Sequence, residues 1–291
     1  MPPGLTDPPP NLLARSFLAG QAAASASEVE AALDAQPDPN AAAFFDVDNT
    51  LLQGASIYLF ARGLHRRKFF TARDLAKSAL QAAIFRFIGG EDADAIAEAR
   101  ESALGFIKGR QVKEIEDVGE EIFDEFMADR IWPGTRAIAQ WHLDRGQRVW
   151  IVTAAPIEIA TVIARRLGFT GALGTVAERV DGVYTGALVG DMLHGEGKAV
   201  AVRAIAERED LDLEQCFAYS DSANDIPMLS LVGHPCAINP DSTLREHAKK
   251  NGWLVRDYRT GRKAALLGGR GVLVAGGGVG AWLLARRLRM R

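Results

Sequence analysis

The stretch FFDVDNT, Phe44 to Thr50, places Asp46 and Asp48 two residues apart, directly after an apolar run that begins at Ala41. An unbroken apolar run of this length is typical of a buried strand in a parallel sheet. In open α/β sheets, binding and catalytic sites lie beyond the carboxyl ends of the strands. The stretch therefore predicts that both carboxylates belong to a catalytic site.

Short apolar runs alternate with helical stretches along the rest of the chain. This is the pattern of βαβ units, and it predicts an α/β fold with a Rossmann-like doubly wound parallel sheet. The predicted strands are Ala42 to Asp48, Arg148 to Thr153, Cys216 to Ser220, Pro235 to Ile238 and Trp253 to Val255. The segment VDGVYTG, Val180 to Gly186, predicts a β-hairpin, because Asp-Gly stands between β-branched residues.

Three helices are predicted from the residues that open and close them. Pro133 and Gly134 open the first, which Gly146 closes. The second has Pro156 in its first turn and ends near Gly168. The third extends from Lys198 to Glu207.

The long separation between the first two predicted strands indicates an insertion, because a simple crossover needs far fewer residues. Its apolar positions, such as Leu75, Leu80 and Phe87, recur near helical spacing. We therefore expect a helical cap at 55–132, inserted between core segments 41–54 and 133–260.

The bulk composition argues against nucleic-acid binding through overall charge, because the 291 residues carry a formal net charge of -3. The two cysteines, Cys216 and Cys236, stand in apolar stretches and are expected to be buried thiols in a reducing, cytoplasmic compartment. Residues 1–40 include the run Pro8 to Pro10 and predict a disordered tail. Arg15 interrupts the apolar part of an apparent secretion signal, so cleavage is not expected.

Three further pieces follow the first motif in order: Thr153 in IVTAAP, Lys198 in GEGKA, and YSDSANDIPM from Tyr219 to Met228. With FDVDNT they resemble the haloacid dehalogenase superfamily of phosphatases, in its phosphoserine phosphatase-like branch, which carries a helical cap between the first two motifs. The resemblance extends from about Ala41 to Val255. It implies a phosphoric monoester hydrolase that acts on a small-molecule or lipid phosphomonoester.

The residue types suit phosphate-ester hydrolysis. Asp46 can attack phosphorus to form an aspartyl phosphate, and Asp48 can protonate the leaving oxygen and later deprotonate water. The resemblance assigns these two roles in that order. Thr153, Ala154 and Lys198 are predicted to bind the phosphate, and Lys198 to pair with Asp46 before substrate arrives.

Four carboxylates in one site would repel each other, at about 4 kcal/mol for a pair 4 Å apart in an effective dielectric near 20. A cation would remove this repulsion, and hard oxygen ligands favour Mg²⁺ over zinc. The resemblance implies that the Asp46 carboxylate, the Asp48 backbone carbonyl and the Asp221 carboxylate hold the metal. It places Asn224 and Asp225 in supporting positions.

The chain departs from the phosphoserine phosphatase pattern at the residues that recognise substrate. Ala55 stands where those enzymes carry an acidic residue for the substrate amine, and Ala103 where an arginine is expected for the carboxylate. Thr153-Ala154-Ala155 replaces a serine and two glycines, which should change how the backbone approaches the phosphate. Phosphoserine is therefore not predicted by these residues, and the substrate stays open.

The C-terminal segment suggests a membrane alternative. Ala264 to Ala285 is apolar except for Arg270, and basic residues flank it, so either a membrane anchor or an interfacial helix at the inner face of the cell membrane would fit. The basic and aromatic stretch Arg62 to Phe70 could face anionic lipid. A lysophosphatidate-type or phosphatidylglycerophosphate-type phosphatase is thus one alternative. An inactive binding module is another, and it is disfavoured because every motif residue is present.

Overall fold

The structure is a computed structural model that describes residues 40–69 and 107–259. The tail prediction for residues up to 39 lies outside the described residues. So do the apolar cap positions Leu75, Leu80 and Phe87, residue Ala103, and the C-terminal segment 264–285.

A parallel sheet organises the described residues, as predicted, and it has six strands where five were expected. In chain order the strands are β1 (Ala42–Phe45), β2 (Arg148–Pro156), β3 (Gly171–Thr175), β4 (Ala177–Val180), β5 (Val183–Leu188), β6 (Phe217–Ser220), β7 (His234–Ile238) and β8 (Leu254–Arg256). The sheet order is β3-β2-β1-β6-β7-β8, while β4 and β5 form the predicted antiparallel hairpin. Strand β1 therefore lies between β2 and β6, and the loops that follow these three strands share one edge of the sheet.

Helices cover both faces of this sheet. They are α1 (Ser56–Arg66), α2 (Val112–Ile122), α3 (Pro133–Asp144), α4 (Ile157–Leu167), α5 (Glu196–Glu209), α6 (Ile226–Leu229) and α7 (Ser242–Lys250). A π-helical turn (Phe123–Met127) and 3-10 turns (Ala128–Arg130, Leu213–Gln215, Ala223–Asp225) complete the helical elements of the described residues. Helices α1 to α4 pack with one face of the central strands, and α5 to α7 with the other, so both faces of β1 are buried.

Several predicted element limits were wrong. The first strand ends at Phe45 and not at Asp48, because the chain turns back at Asn49, which has a positive φ of 57°. Strand β2 continues to Pro156, so this proline ends a strand and precedes α4 instead of lying in the helix. Strand β3 was not predicted at all.

The chain that connects β1 to β2 begins and ends at the same place beside the sheet. The Gln53 N–H donates to the Arg130 carbonyl, and the Trp132 N–H donates to the Leu51 carbonyl, both at 2.8 Å. Helices α1 and α2, which border the segment outside the described residues, bury their apolar faces in the same cluster as β1 and β2.

Two further sequence expectations can be compared with the structure. Cys216 and Cys236 are both buried and do not form a disulfide, as expected. Within 40–69 and 107–259, no helix is long and apolar enough to cross a membrane.

Candidate active site

The first motif continues directly from the central strand into the site. The Asp46 N–H donates to the Tyr219 carbonyl at 2.9 Å, which extends the β1–β6 pairing by one residue and fixes the Asp46 backbone. The Asp46 side chain is buried, and its Oδ1 lies 2.7 Å from Lys198 Nζ. The structure therefore brings together the two residues that the sequence predicted to pair.

Lys198 lies between two carboxylates. It is the third residue of α5, is buried, and also donates to Asp225 Oδ2 at 2.7 Å. The same Asp225 oxygen accepts a hydrogen bond from Ser220 Oγ at 2.7 Å, which fixes the direction of the carboxylate. Ser220 was not among the predicted site residues. Its position as the hydroxyl that ends β6, directly before Asp221, is the sequence signal that could have identified it.

The acidic groups of the site carry more negative charge than Lys198 neutralises. Burial raises the pKa of Asp46 to about 6, against the attraction of Lys198, and Asp225 and Asp48 add repulsion. Burial also raises the pKa of Asp221 to about 7, with further repulsion from Asp46 and Asp225. Burial alone would lower the pKa of Lys198, but Asp46 and Asp225 raise it above its usual value. Lys198 is therefore charged, and the site favours a further cation.

The chemistry of this donor set fits Mg²⁺. Asp46 and Asp221 repel each other across the site and offer hard oxygen ligands, which is what a divalent cation requires. Among the described residues, no three His, Cys, Asp or Glu side chains are placed to bind a metal together. The predicted set differs from such a group, because it uses two carboxylates and the Asp48 backbone carbonyl.

Asp48 is held by the N-terminus of helix α1. Its Oδ1 accepts a hydrogen bond from the Ser56 N–H at 2.8 Å, at the N-terminus of α1, where backbone amides lack helical partners. The turn between them is closed by Gly54 N–H, which donates to Asn49 Oδ1 at 3.1 Å. This geometry orients the Asp48 side chain. The sequence did not indicate Ser56 as its partner.

The second motif ends β2 and is supported from β3. Thr153 is buried, and its Oγ1 accepts a hydrogen bond from the Ala155 N–H at 3.2 Å. Thr175, the last residue of β3, donates through Oγ1 to the Ala154 carbonyl at 2.7 Å and accepts from the Leu193 N–H at 3.0 Å. Gly174 permits this approach, because a Cβ there would lie 2.9 Å from the Ala155 carbonyl oxygen.

The fourth motif lies on the loop after β6. Asp221 follows the strand directly and is partly buried, and Asp225 lies in the 3-10 turn, where it contacts Lys198. Asn224 is exposed in the same turn, so its supporting role stays a prediction. The structure thus gathers Asp46, Lys198 and Asp225 by direct contact.

Comparison with known proteins points to one family. The model of the haloacid dehalogenase-like hydrolase family matches residues 43–230. The chain is 56% identical over 258 residues to phosphoserine phosphatase SerB1 of Mycobacterium tuberculosis. The aligned region covers 87% of this chain and 84% of that protein. It is also 30% identical over 223 residues to a histidinol-phosphatase of Neisseria meningitidis serogroup C. That alignment covers 75% of this chain and 98% of that protein.

A solved structure shares the fold. A protein of unknown function from Bordetella pertussis Tohama I has a TM-score of 0.66 and 32% sequence identity. The match covers 74% of this chain and 97% of that one. These two relatives are named for different phosphate esters, so similarity alone does not select a substrate.

Proposed function

Because this chain belongs to the haloacid dehalogenase-like hydrolase family, we propose that it hydrolyses a phosphate monoester through a phosphorylated Asp46. The observation that carries the proposal is the contact of the buried Asp46 carboxylate with Lys198 Nζ at 2.7 Å, at the carboxyl end of β1. A carboxylate that is buried and held by an ammonium group is positioned to attack and is shielded from bulk water.

The proposed reaction has two steps. In the first, an Asp46 oxygen attacks phosphorus, the ester P–O bond breaks, and Asp48 gives a proton to the departing oxygen. In the second, Asp48 takes a proton from water, whose oxygen attacks phosphorus and breaks the acyl phosphate bond. The products are the alcohol and inorganic phosphate, and Asp46 is restored. The Ser56 N–H supports this role of Asp48 by holding its carboxylate in one orientation.

The remaining site residues bind and orient the phosphoryl group. Lys198 offsets negative charge on its oxygens, Thr153 offers a hydroxyl, and the Ala154 backbone approaches it from β2. Asp46, Asp221 and the Asp48 carbonyl would hold Mg²⁺, with Asn224 and Asp225 in support. When bound, Mg²⁺ supplies positive charge that stabilises the transferring phosphoryl group.

The proposed substrate is a small phosphomonoester that does not depend on an acidic partner at residue 55. Ala55 is exposed directly before α1, and its neighbours Ile57 and Tyr58 are exposed and carry no charge. None of these side chains can form an ion pair with an ammonium group. Within residues 40–69 and 107–259, no contact favours the lipid-phosphate or inactive-module alternatives.

Phosphate release by the full chain tests this proposal. With Mg²⁺, the parent is expected to hydrolyse p-nitrophenyl phosphate, and Asp46→Asn is expected to show no turnover above background. Asp210→Asn is the matched control, because Asp210 is exposed at the end of α5 with a positive φ of 54° that asparagine tolerates. Turnover by Asp46→Asn at the parental rate would refute the nucleophile.

The substrate is tested by comparing phosphoserine with histidinol phosphate and a panel of phosphorylated alcohols without amines. We expect the highest kcat/KM among esters without an amine near the phosphate. A strong preference for phosphoserine would show that another residue meets the amine, and would contradict the argument from Ala55.

A further inference from the structure

The segment Asn239–Asp241, which follows β7, contacts two of the catalytic loops. We define residues 239–241 as the clamp. Strand β7 pairs with β6 and not with β1, yet the clamp forms hydrogen bonds with the loops that follow both β6 and β1. None of its residues carries out a step of the proposed reaction.

Asn239 fixes the loop after β1. It is fully buried, and its Nδ2 donates to the Asn49 carbonyl at 2.9 Å. Its Oδ1 accepts from the Tyr258 N–H at 2.8 Å, so only one orientation of the amide satisfies both contacts. The Asn239 N–H donates to the Arg256 carbonyl at 2.7 Å. The side chain therefore ties the β1 loop to the backbone that follows β8.

Asp241 fixes the loop after β6. Its N–H donates to the Asp221 carbonyl at 2.8 Å, and its Oδ2 accepts from the Ala223 N–H at 2.8 Å. Its other oxygen, Oδ1, accepts from the Leu244 N–H at 2.7 Å and caps α7. One carboxylate thus joins the catalytic loop to the start of a helix that packs on the core.

From these contacts we infer that Asn239 and Asp241 are positioning residues that set the separation between the Asp48 carbonyl and the Asp221 carboxylate. The contact on the first loop is one residue beyond Asp48, and the contacts on the second loop are at Asp221 and two residues beyond it. This inference rests on the proposed function for its choice of metal ligands. The clamp acts on Mg²⁺ affinity, because Mg²⁺ demands near-ideal octahedral placement of its oxygen ligands.

Two variants remove the contacts separately. Asn239→Gly keeps the positive φ of 50° and removes both side-chain hydrogen bonds. Asp241→Ser keeps a residue that caps helices well, but its shorter side chain cannot also reach the Ala223 N–H. Asp241 is exposed, so this variant carries the test if Asn239→Gly fails to fold.

Each variant has a matched control. Asn251→Gly removes an exposed asparagine whose Nδ2 donates to the His247 carbonyl at 2.8 Å. Asp212→Ser changes an aspartate that caps the 3-10 turn Leu213–Gln215 by accepting from the Glu214 N–H at 3.0 Å. Neither control residue contacts a catalytic loop by these hydrogen bonds.

Calorimetric titration of each full chain with Mg²⁺ alone measures the effect without turnover. We expect Asn239→Gly and Asp241→Ser each to weaken Mg²⁺ binding about fivefold, the factor for a hydrogen bond of about 1 kcal/mol, and the controls to stay within about twofold. In the phosphatase assay, excess Mg²⁺ should restore most of kcat.

The inference is overturned if either folded clamp variant binds Mg²⁺ as the parent does while its free energy of unfolding falls, because the clamp would then be structural only. A parent that binds no Mg²⁺ would also overturn it. If the parent binds Mg²⁺ but releases no phosphate from any ester, the proposed function fails, whereas the measured affinities still decide the role of the clamp.

Discussion

At the scale of single residues, His142 is a titratable group that is fully buried against strands β1 and β6. Its Nδ1 lies 2.6 Å from Gln147 Oε1, and its Nε2 lies 2.8 Å from the Tyr219 hydroxyl. A carbonyl oxygen can only accept, so Nδ1 carries the proton and Nε2 accepts from tyrosine. Burial lowers the pKa of His142 to about 4 from an ordinary 6.5. The neutral ring is therefore the form that the fold accommodates.

This pKa shift predicts acid sensitivity. Because the folded-state pKa is depressed, the unfolded chain binds the proton first, and the stabilisation is present above about pH 6.5 and lost as pH falls toward 4. Its size is about 3 kcal/mol. His142→Gln keeps a donor and an acceptor but does not titrate, so its free energy of unfolding should fall less between pH 7 and pH 4. Urea unfolding followed by circular dichroism measures this difference.

His194→Gln is the control for this comparison, because His194 is exposed between β5 and α5. Equal losses of stability in the parent and in His142→Gln over the same pH range would contradict the prediction. Asp46 and Asp221 titrate in the opposite sense, since their folded-state pKa values are raised. Both carboxylates are present in the parent and in His142→Gln, so the difference between the two proteins reports the titration of His142 alone.

Residue types and spacing predicted which side chains meet at the site better than they predicted how the side chains are held. The pairing of Lys198 with Asp46 followed from an acid at a strand end and an ammonium group in the same ordered set of motifs. Asp225 was expected only in a supporting position, yet it contacts Lys198 directly, because the 3-10 turn Ala223–Asp225 directs it inward. The Ser56 and Ala223 contacts use backbone amides, which no side-chain pattern reveals.

At the scale of secondary structure, β3 contributes to the site although it was not predicted. Its sequence, GALGT, has two glycines and only one β-branched residue, so strand propensity is low. Strand β3 is instead stabilised by its pairing with β2 and by the hydrogen bond from Thr175 to the Ala154 carbonyl. The hairpin β4–β5 was predicted, because Asp181-Gly182 encodes its turn locally.

Thr175→Val tests the role of β3. Valine keeps the shape of the side chain but removes the hydrogen bonds to the Ala154 carbonyl and from the Leu193 N–H. The second motif should then be less fixed, and kcat/KM should fall roughly tenfold, since small misplacements of binding groups are costly. Steady-state kinetics with p-nitrophenyl phosphate measures this change.

Thr185→Val is the matched control, because the Thr185 hydroxyl on β5 contacts Glu178 on β4 and not a catalytic loop. A kcat/KM for Thr175→Val equal to that of this control would show that Thr175 does not position the second motif.

At the scale of the whole molecule, α1 and α2 share one hydrophobic cluster with the central strands of the sheet. The length of chain between β1 and β2 predicted an insertion, but not that its bordering helices would join the cluster around the central strands. Sequence periodicity indicates which face of a helix is apolar and does not identify what that face meets. Here α2 packs against α4 through Gly119, where an added Cβ would lie 3.0 Å from Val162 Cγ2.

Gly119→Leu is therefore expected to separate α2 from α4. Overpacking of a buried contact costs about 1–3 kcal/mol, so the urea midpoint should fall. Glu116→Leu places the same side chain at an exposed position of α2 and should change stability by less than about 0.5 kcal/mol. Equal midpoints for the two variants would mean that α2 does not pack closely on α4.

The contact between Lys198 and Asp46 determines when a folding chain can become catalytically active. It joins Asp46 to a residue 152 positions later, so this contact cannot form until most of the polypeptide has been synthesised. Contacts of such high sequence separation close slowly, because loop entropy is lost before they contribute. Until α5 docks, Asp46 lacks the ammonium group that contacts it in the folded structure. Recovery of turnover during refolding would thus report the docking of α5 on the sheet and not the first collapse.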